Sequence, residues 1–282
     1  MDFISPSKIK NIASSYGFVF KKGLGQNFLS SKEVLEDIAI AAEIDNEGVI
    51  EIGPGFGVLT QELAMRANKV VALELDERLI PILQDTLKEF GNIKIINQDV
   101  LKTDIKKLID EEFSGKKVSI AANLPYYITT PIITKLIEER LPLNNLVVMV
   151  QKEVADRITA KPATKNYGAI SVLCQYYTVA ELITTVPSNL FVPPPKVDSA
   201  VVRMKFRDEP AVKPADEKVF FRTVKAAFSQ RRKTLLNCLV SNFPQDKQQL
   251  SELLLSIEIE PTRRGETLSL QEFAKLADAL SI

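Results

Sequence analysis

One stretch constrains the fold more than any other. Val49-Ile50-Glu51-Ile52 is an apolar run of strand length, Gly53-Pro54-Gly55-Phe56-Gly57 a glycine turn, and Val58-Leu59-Thr60-Gln61-Glu62-Leu63-Ala64 a helix-forming run. Strand, glycine turn and helix make the opening unit of an α/β sheet, the place where such sheets hold nucleotides. The glycines let the backbone approach a ligand with no Cβ in the way. The spacing is Gly-x-Gly-x-Gly, one residue shorter than the dinucleotide fingerprint, and leaves less room for a pyrophosphate. Further strands are expected near Val70, Ile93 and Val118 and through Leu146-Val147-Val148-Met149-Val150, with helical segments between them. That alternation predicts an α/β fold with a parallel sheet and helices on both faces.

The strand ends carry the chemistry. Lys69-Val70-Val71-Ala72-Leu73 runs into Glu74, roughly 20 residues beyond the glycine loop, where an acid that binds ribose hydroxyls is expected. Ile93-Lys94-Ile95-Ile96-Asn97 leads to Asp99, placed either to accept the exocyclic amine of an adenine ring or to cap a turn. The apolar run Val118-Ser119-Ile120-Ala121-Ala122 ends in Asn123-Leu124-Pro125-Tyr126. Asn123 supplies a carbonyl acceptor. Pro125 biases Leu124 toward an extended shape, which frees the Leu124 carbonyl to point outward. Tyr126 supplies a flat ring on which a base can stack. Two acceptors beside an aromatic plate suit an exocyclic amine on a planar ring. Its nitrogen is a poor nucleophile until acceptors hold both hydrogens and free the lone pair.

Composition bounds the alternatives. The chain has 282 residues and no histidine, which excludes a Ser-His-Asp triad, His-ligated zinc and a His general base. Cys174 and Cys238 are too few for a disulfide framework, so a reducing, cytoplasmic setting and no metal are expected. No apolar run is long enough to cross a bilayer, and Met1-Asp2-Phe3 does not open a secretory signal. Net charge is 0, but its distribution is uneven. Lys8, Lys10, Lys21, Lys22 and Lys32 share the stretch 3–32 with no acid. Lys218, Arg222, Lys225, Arg231, Arg232 and Lys233 share 218–234, again with none. Basic clusters with aromatic neighbours are an electrostatic footprint for nucleic acid, and equally an ordinary solvated face.

Five motifs occur in order: Gly25-Gln26-Asn27-Phe28-Leu29, Glu51-Ile52-Gly53-Pro54-Gly55, Asn123-Leu124-Pro125-Tyr126, Phe191-Val192-Pro193-Pro194-Pro195-Lys196-Val197-Asp198-Ser199 and Phe228-Ser229-Gln230-Arg231-Arg232-Lys233-Thr234-Leu235. Together they resemble the ribosomal RNA adenine N6-dimethyltransferases. The resemblance implies a Rossmann-like class I S-adenosylmethionine-dependent methyltransferase sheet with a small all-α C-terminal domain. It implies that S-adenosylmethionine lies across Gln26, Asn27, Leu29, Gly53, Gly55, Glu74, Asp99 and Asn123. The target nitrogen would be oriented by Asn123 and the Leu124 carbonyl ahead of Pro125, its base stacked on Tyr126, with Phe191 on the other face. RNA contact would fall to Lys21, Lys22, Arg222, Lys225, Arg231, Arg232 and Lys233. The substrate implied is a pair of adjacent adenines in small-subunit ribosomal RNA, within a partly assembled subunit, and a monomeric enzyme is expected. The Erm-type enzymes of large-subunit RNA are the nearest alternative. A non-catalytic assembly factor, a nicotinamide-dependent oxidoreductase and a DNA adenine methylase fit the motifs less well.

The expected organisation is an arm and cofactor-covering segment over 1–30, the methyltransferase domain over 31–206, and a helical RNA-binding domain over 207–282. Ser30 or Ser31 is placed to cap the first core helix. Within the second span, 152–160 reads as helix, and 169–177, 180–186 and 200–206 read as strands; 161–167 reads as a mobile loop. Pro193-Pro194-Pro195 reads as a stiff extended run that holds Phe191 ahead of it either in a fixed direction for stacking or in the core. After Arg207, helices are expected over 218–240 with a break at Ser229-Gln230, then over 248–257 and 270–280.

Overall fold

A computed structural model describes residues 6–19 and 27–281. The elements run α1 (Pro6–Ser15), β1 (Phe28–Leu29), α2 (Lys32–Ala41), β2 (Gly48–Ile52), α3 (Val58–Ala64), β3 (Lys69–Glu74), α4 (Ile80–Thr86), β4 (Ile93–Asn97), α5 (Ile105–Phe113), β5 (Val118–Asn123), α6 (Thr129–Glu138) and β6 (Leu143–Gln151). They continue with α7 (Lys152–Ile158), α8 (Ala169–Tyr177), β7 (Thr178–Val186), β8 (Phe191–Val192), β9 (Ser199–Phe206), α9 (Glu217–Ala227), α10 (Leu235–Val240), α11 (Lys247–Ser256) and α12 (Leu270–Leu280).

The main sheet has the order β4-β3-β2-β5-β6-β9-β7. From β4 to β6 every pairing is parallel, and β9 is antiparallel to β6. β2, β3, β5 and β6 are buried almost throughout, which is why they read as near-unbroken apolar runs rather than as alternating ones, whereas β4 at the sheet edge is only partly buried, with Lys94 exposed. Ser31, the second of the two candidate caps, starts α2 by accepting from the Val34 N–H. From β2 the chain winds outward through β3 to β4, then returns to lay β5 on the other side of β2. This reversal opens a crevice beyond the carboxyl ends of β2 and β5, where open α/β sheets bind ligands. Gly53 and Asn123 leave the sheet there side by side; a Cβ on Gly53 would lie 3.9 Å from the Asn123 carbonyl oxygen.

Contacts divide the chain into two units. The first holds residues up to Ala155 together with Ala180–Phe206; the second holds Asp156–Val179 and Arg207–Ile282. The second unit thus takes Asp156–Val179, which the expected division placed in the methyltransferase domain, together with the C-terminal helices. The reason is α8. Residues 169–177 form a helix, not the expected strand. Val172 and Tyr176 lie on one helical face, buried with Phe220 and Val224 of α9. A short apolar run rich in β-branched and aromatic residues is ambiguous by periodicity, and here packing in the second unit decides it. Within that unit α9 stops at Ala227 and α10 starts at Leu235, so the break expected at Ser229-Gln230 is present. The Val192–Pro193 peptide bond is cis.

Glu51 is an acid inside this apolar architecture, 1% exposed in β2. Burial, reinforced by the like charge of Glu74, pushes its pKa up to about 8. Thr60 is near enough to soften the shift, but its Oγ1 and Glu51 Oε2 both lack a protein hydrogen-bond partner in geometry. The folded state therefore holds a proton that the unfolded chain releases near the ordinary value of 4.5. Stability from this site is complete below that value and is lost as pH rises toward about 8. Glu51→Gln should match the native protein's melting temperature near pH 4 to 5 and exceed it by at least about 4 °C near pH 9. Parallel melting curves for the two proteins across that range would disprove the assignment.

Candidate active site

The cavity at the crevice is walled entirely by first-unit residues. Asn27, Phe28 and Leu29 close one side; Glu51 to Gly55 and Glu74 to Asp76 form the floor; Gln98 to Val100 and Asn123 to Ile128 complete the ring. Most sequence-predicted cofactor residues meet here: Asn27, Leu29, Gly53, Gly55, Glu74, Asp99 and Asn123. Gln26, Lys21 and Lys22 lie outside the described residues.

The glycine loop is shaped by its surroundings. Gly55 has φ +60°, and a Cβ there would come within 2.6 Å of the Phe28 ring. A side chain would be strained on both counts. Phe28 in turn packs against Phe56, ring centroids 4.5 Å apart. The Gly55 N–H donates to Glu74 Oε2 at 3.2 Å, and the Asp76 N–H donates to Glu74 Oε1 at 2.8 Å. One carboxylate thus ties the loop after β2 to the turn after β3. Burial raises the Glu74 pKa to about 6, while the N–H donors from Asp76 and Gly55 hold the rise in check. Each carboxylate oxygen keeps a second lone pair, so Glu74 retains acceptor capacity toward the cavity.

Of the two roles the sequence left open for Asp99, the structure shows the turn cap. Its Oδ1 accepts the Leu101 N–H at 2.9 Å, as a turn cap does, and the residue also lines the cavity. Asp76 and Glu51 line it too, and the sequence did not single them out as ligand groups. Asp76 had a readable signal, its place two residues beyond the β3 acid. Its carboxylate is held by the Arg78 guanidinium at 2.5 Å, which also covers the Phe18 ring at 4.7 Å. Glu51 had a signal too, an acid that interrupts the apolar run Val49-Ile50-Glu51-Ile52 just ahead of the glycine loop.

At the tip of β5 the Asn123 amide nitrogen donates to the Asn27 carbonyl at 3.0 Å. This contact turns the amide oxygen away from the N-terminal segment. The Leu124 N–H donates to Met149 O at 3.1 Å, which extends the sheet one residue past β5. The Pro125 carbonyl accepts from the Ile128 N–H and Thr129 Oγ1 at 3.2 and 3.0 Å and starts α6. Tyr126 is half-buried on the cavity wall, its hydroxyl 2.6 Å from Ser199 Oγ. The neighbouring Tyr127, 54% exposed, forms part of the rim, a second aromatic that the sequence reading passed over.

Phe191 corrects the sequence expectation. Its ring is 2% exposed, packed with Leu29 and Val34 in the core, and it does not line the cavity. Its role in this structure is backbone pairing. Leu29 and Phe28 sit opposite Phe191 and Val192 in a two-stranded antiparallel sheet, and the Ser30 N–H donates to Leu190 O at 2.8 Å. An apolar residue ahead of a proline run satisfies core and stacking equally well, and only tertiary contacts separate them.

The five C-terminal basic residues lie exposed in the second unit. Arg222 donates to Asn242 O at 2.9 Å and lies 4.6 Å from the centre of the Phe243 ring. Arg231 donates to Lys165 O at 2.9 Å. Lys225, Arg232 and Lys233 are exposed beside them. No helix among the described residues is long and apolar enough to cross a membrane.

The donor set fits S-adenosylmethionine. A cation that also bears hydroxyls and an amine meets buried acids at Glu51 and Glu74, Asp99 at the next strand tip, and a loop that excludes Cβ atoms. The ribosomal RNA adenine dimethylase family model matches residues 17–276. Ribosomal RNA small subunit methyltransferase A of Geobacillus sp. (strain WCH70) is 55% identical over 99% of this chain and 98% of its own. The protein of the same name from Bacillus cereus (strain B4264) is 54% identical over 99% and 97%. Among solved structures, a dimethyladenosine transferase from Plasmodium falciparum superposes with a TM-score of 0.74 at 26% identity, covering 88% of this chain and 95% of its own. The 23S rRNA methyltransferase ErmE does so with 0.71 at 25% identity, covering 90% and 100%. The chain belongs to the ribosomal RNA adenine dimethylase family and is an S-adenosylmethionine-dependent methyltransferase of ribosomal RNA.

Proposed function

We propose that the protein dimethylates N6 of two adjacent adenines in small-subunit ribosomal RNA, four transfers in all, acting as a monomer in the cytoplasm on a partly assembled subunit. The observation that carries this reading is the Asn123-to-Tyr126 corner. An amide oriented by the Asn27 carbonyl and a phenol ring on the wall stand beside the acids that suit the donor. The small-subunit target is favoured over the Erm-type one by identity: 55% and 54% to full-length small-subunit enzymes, against 25% to ErmE.

When bound, S-adenosylmethionine supplies an electrophilic methyl group on a sulfonium. The chain's own residues hold the partners. Glu74 accepts ribose hydroxyls and Asp99 the adenine amine of the donor. Asn123 Oδ1 and the Leu124 carbonyl accept the two hydrogens of the target N6, which favours the pyramidal nitrogen with its lone pair free. Tyr126 stacks on the target base, which must be unstacked to enter. The methylated nitrogen is acidic enough to lose its proton to water, so the absence of histidine costs the reaction nothing. In favourable cases such positioning contributes about 7–11 kcal/mol of barrier lowering. The exposed basic residues of the second unit give affinity through phosphate contacts and little sequence choice.

The test is to supply labelled donor with small-subunit particles from a strain lacking the modification, and with large-subunit RNA in parallel. Nucleoside mass analysis should return dimethyladenosine from the particles alone. Label in the large-subunit RNA would transfer the protein to the Erm-type reading. Asn123→Ala should keep donor affinity within a few-fold and lower turnover about 100-fold, roughly 2.7 kcal/mol. Native turnover in that variant would remove Asn123 from the mechanism. Replacing Arg231, Arg232 and Lys233 together with Ala should weaken RNA binding and reduce its dependence on salt by up to about three units of slope. An unchanged slope would send the RNA to another face.

A further inference from the structure

We propose that Ser199 is a positioning residue for the target base, fixing the plane of the Tyr126 ring through its hydroxyl. The inference rests on the reading that Tyr126 stacks on that base. Its physical ground is one hydrogen bond between two segments far apart in sequence, 2.6 Å from the Tyr126 hydroxyl to Ser199 Oγ.

Ser199 is the first residue of β9 and is 0% exposed. It sits opposite Gln151 at the end of β6, in the antiparallel part of the main sheet. Its backbone is therefore held by a strand ladder, and its Oγ is a fixed point. Tyr126 is the opposite case. It leaves the sheet after Pro125, in the turn that starts α6, with one side of its ring toward the cavity. A tyrosine on a cavity wall turns about two side-chain bonds. Anchoring the far end of the ring removes most of that freedom, so the plate is ready before the base arrives. Burial raises the Tyr126 pKa, so the phenol keeps its proton at neutral pH and remains able to donate.

The same contact gives a purpose to the Phe191-to-Ser199 stretch. Its phenylalanine is in the core, and its lysine and prolines make no wall of the cavity. Only its last residue reaches the site, through the hydroxyl. An alanine would fill that buried position at the head of β9 as well as a serine if no partner needed the oxygen, since a buried hydroxyl left without a partner is unfavourable.

A fixed plate matters most between the two methylations of one nitrogen. After the first transfer the amine carries one hydrogen and one methyl group. It must be presented again, and a base held loosely leaves instead. The expected signature of losing the anchor is thus a change in product, not only in rate.

Ser199→Ala, Tyr126→Phe and the double variant should be assayed on unmodified small-subunit particles, with nucleoside mass analysis as readout. Each single change is expected to lower turnover about 10-fold at saturating donor, leave the donor KM in place and raise the ratio of monomethyl to dimethyl adenosine several-fold. The double variant should be no worse than the poorer single one, because both remove the same bond. Tyr126→Phe guards against misfolding of the buried serine variant, since it breaks the bond from the half-exposed side. Multiplying losses in the double variant overturn the proposal. So does native rate and product ratio in Tyr126→Phe, whether Ser199→Ala folds or not. Tyr126→Ala separates the two levels. If it is inactive while Tyr126→Phe is native, stacking stands and the anchor is wrong; if it is fully active, the stacking reading itself is lost.

Discussion

The site depends on the carboxylate of Glu74. It stands at the end of β3, accepts one N–H from the glycine loop after β2 and another from the turn after its own strand. Without it the loop's N–H groups would face a buried space with no acceptor, and unpartnered buried donors are costly. With it, two strand ends are fixed in one geometry before any ligand enters. The parallel register of β2 on β3 makes this possible, because Ile52 and Leu73 are opposite partners and both chains leave the sheet at the same level.

From that fixed point the second half of the crevice follows. Returning β5 to the far side of β2 brings Asn123 level with the glycine loop. The N-terminal segment then crosses the opening, held by its pairing with β8 and by the Asn123 amide. Donor side and acceptor side share one backbone contact. A shift of the covering strand of even an ångström would turn the Asn123 amide, and on the proposed mechanism misplacement on that scale is enough to cost a large part of a positional rate enhancement.

The strands and their tips were legible in the sequence because parallel, doubly covered strands are written as continuous apolar runs. Glu74 and Asn123 end such runs, and Asp99 follows the partly exposed edge strand β4, where Ile93, Ile95 and Ile96 still mark a strand, so their place at the carboxyl ends could be read directly. The residues 169–177 were misread because nothing local distinguishes a buried short helix from a strand; their helix is set by Phe220 and Val224, some fifty positions away in sequence. For Phe191 the proline run leaves plate and core open, the resemblance favours the plate, and the structure places the ring in the core. Asp76 stands two residues beyond the β3 acid and Ser199 closes one of the five motifs, yet the motif does not show which side chain Ser199 touches. The bond of Ser199 spans 73 positions to Tyr126, and no periodicity encodes such a contact.

The remaining question is why a sheet core tolerates acids at all. Glu51 and Glu74 lie within reach of each other's charge, and burial holds both pKa values above the ordinary range. In a purely structural core two neighbouring buried acids only add a desolvation cost that apolar side chains would avoid. At this crevice the balance differs on the proposed reading, in which a cationic donor with hydroxyl groups would offset what burial takes away: an opposite charge for one acid and hydrogen-bond donors for the other. Acceptor capacity left open in the folded protein, as at Glu51 Oε2, is what a pocket must retain to prefer that ligand over water.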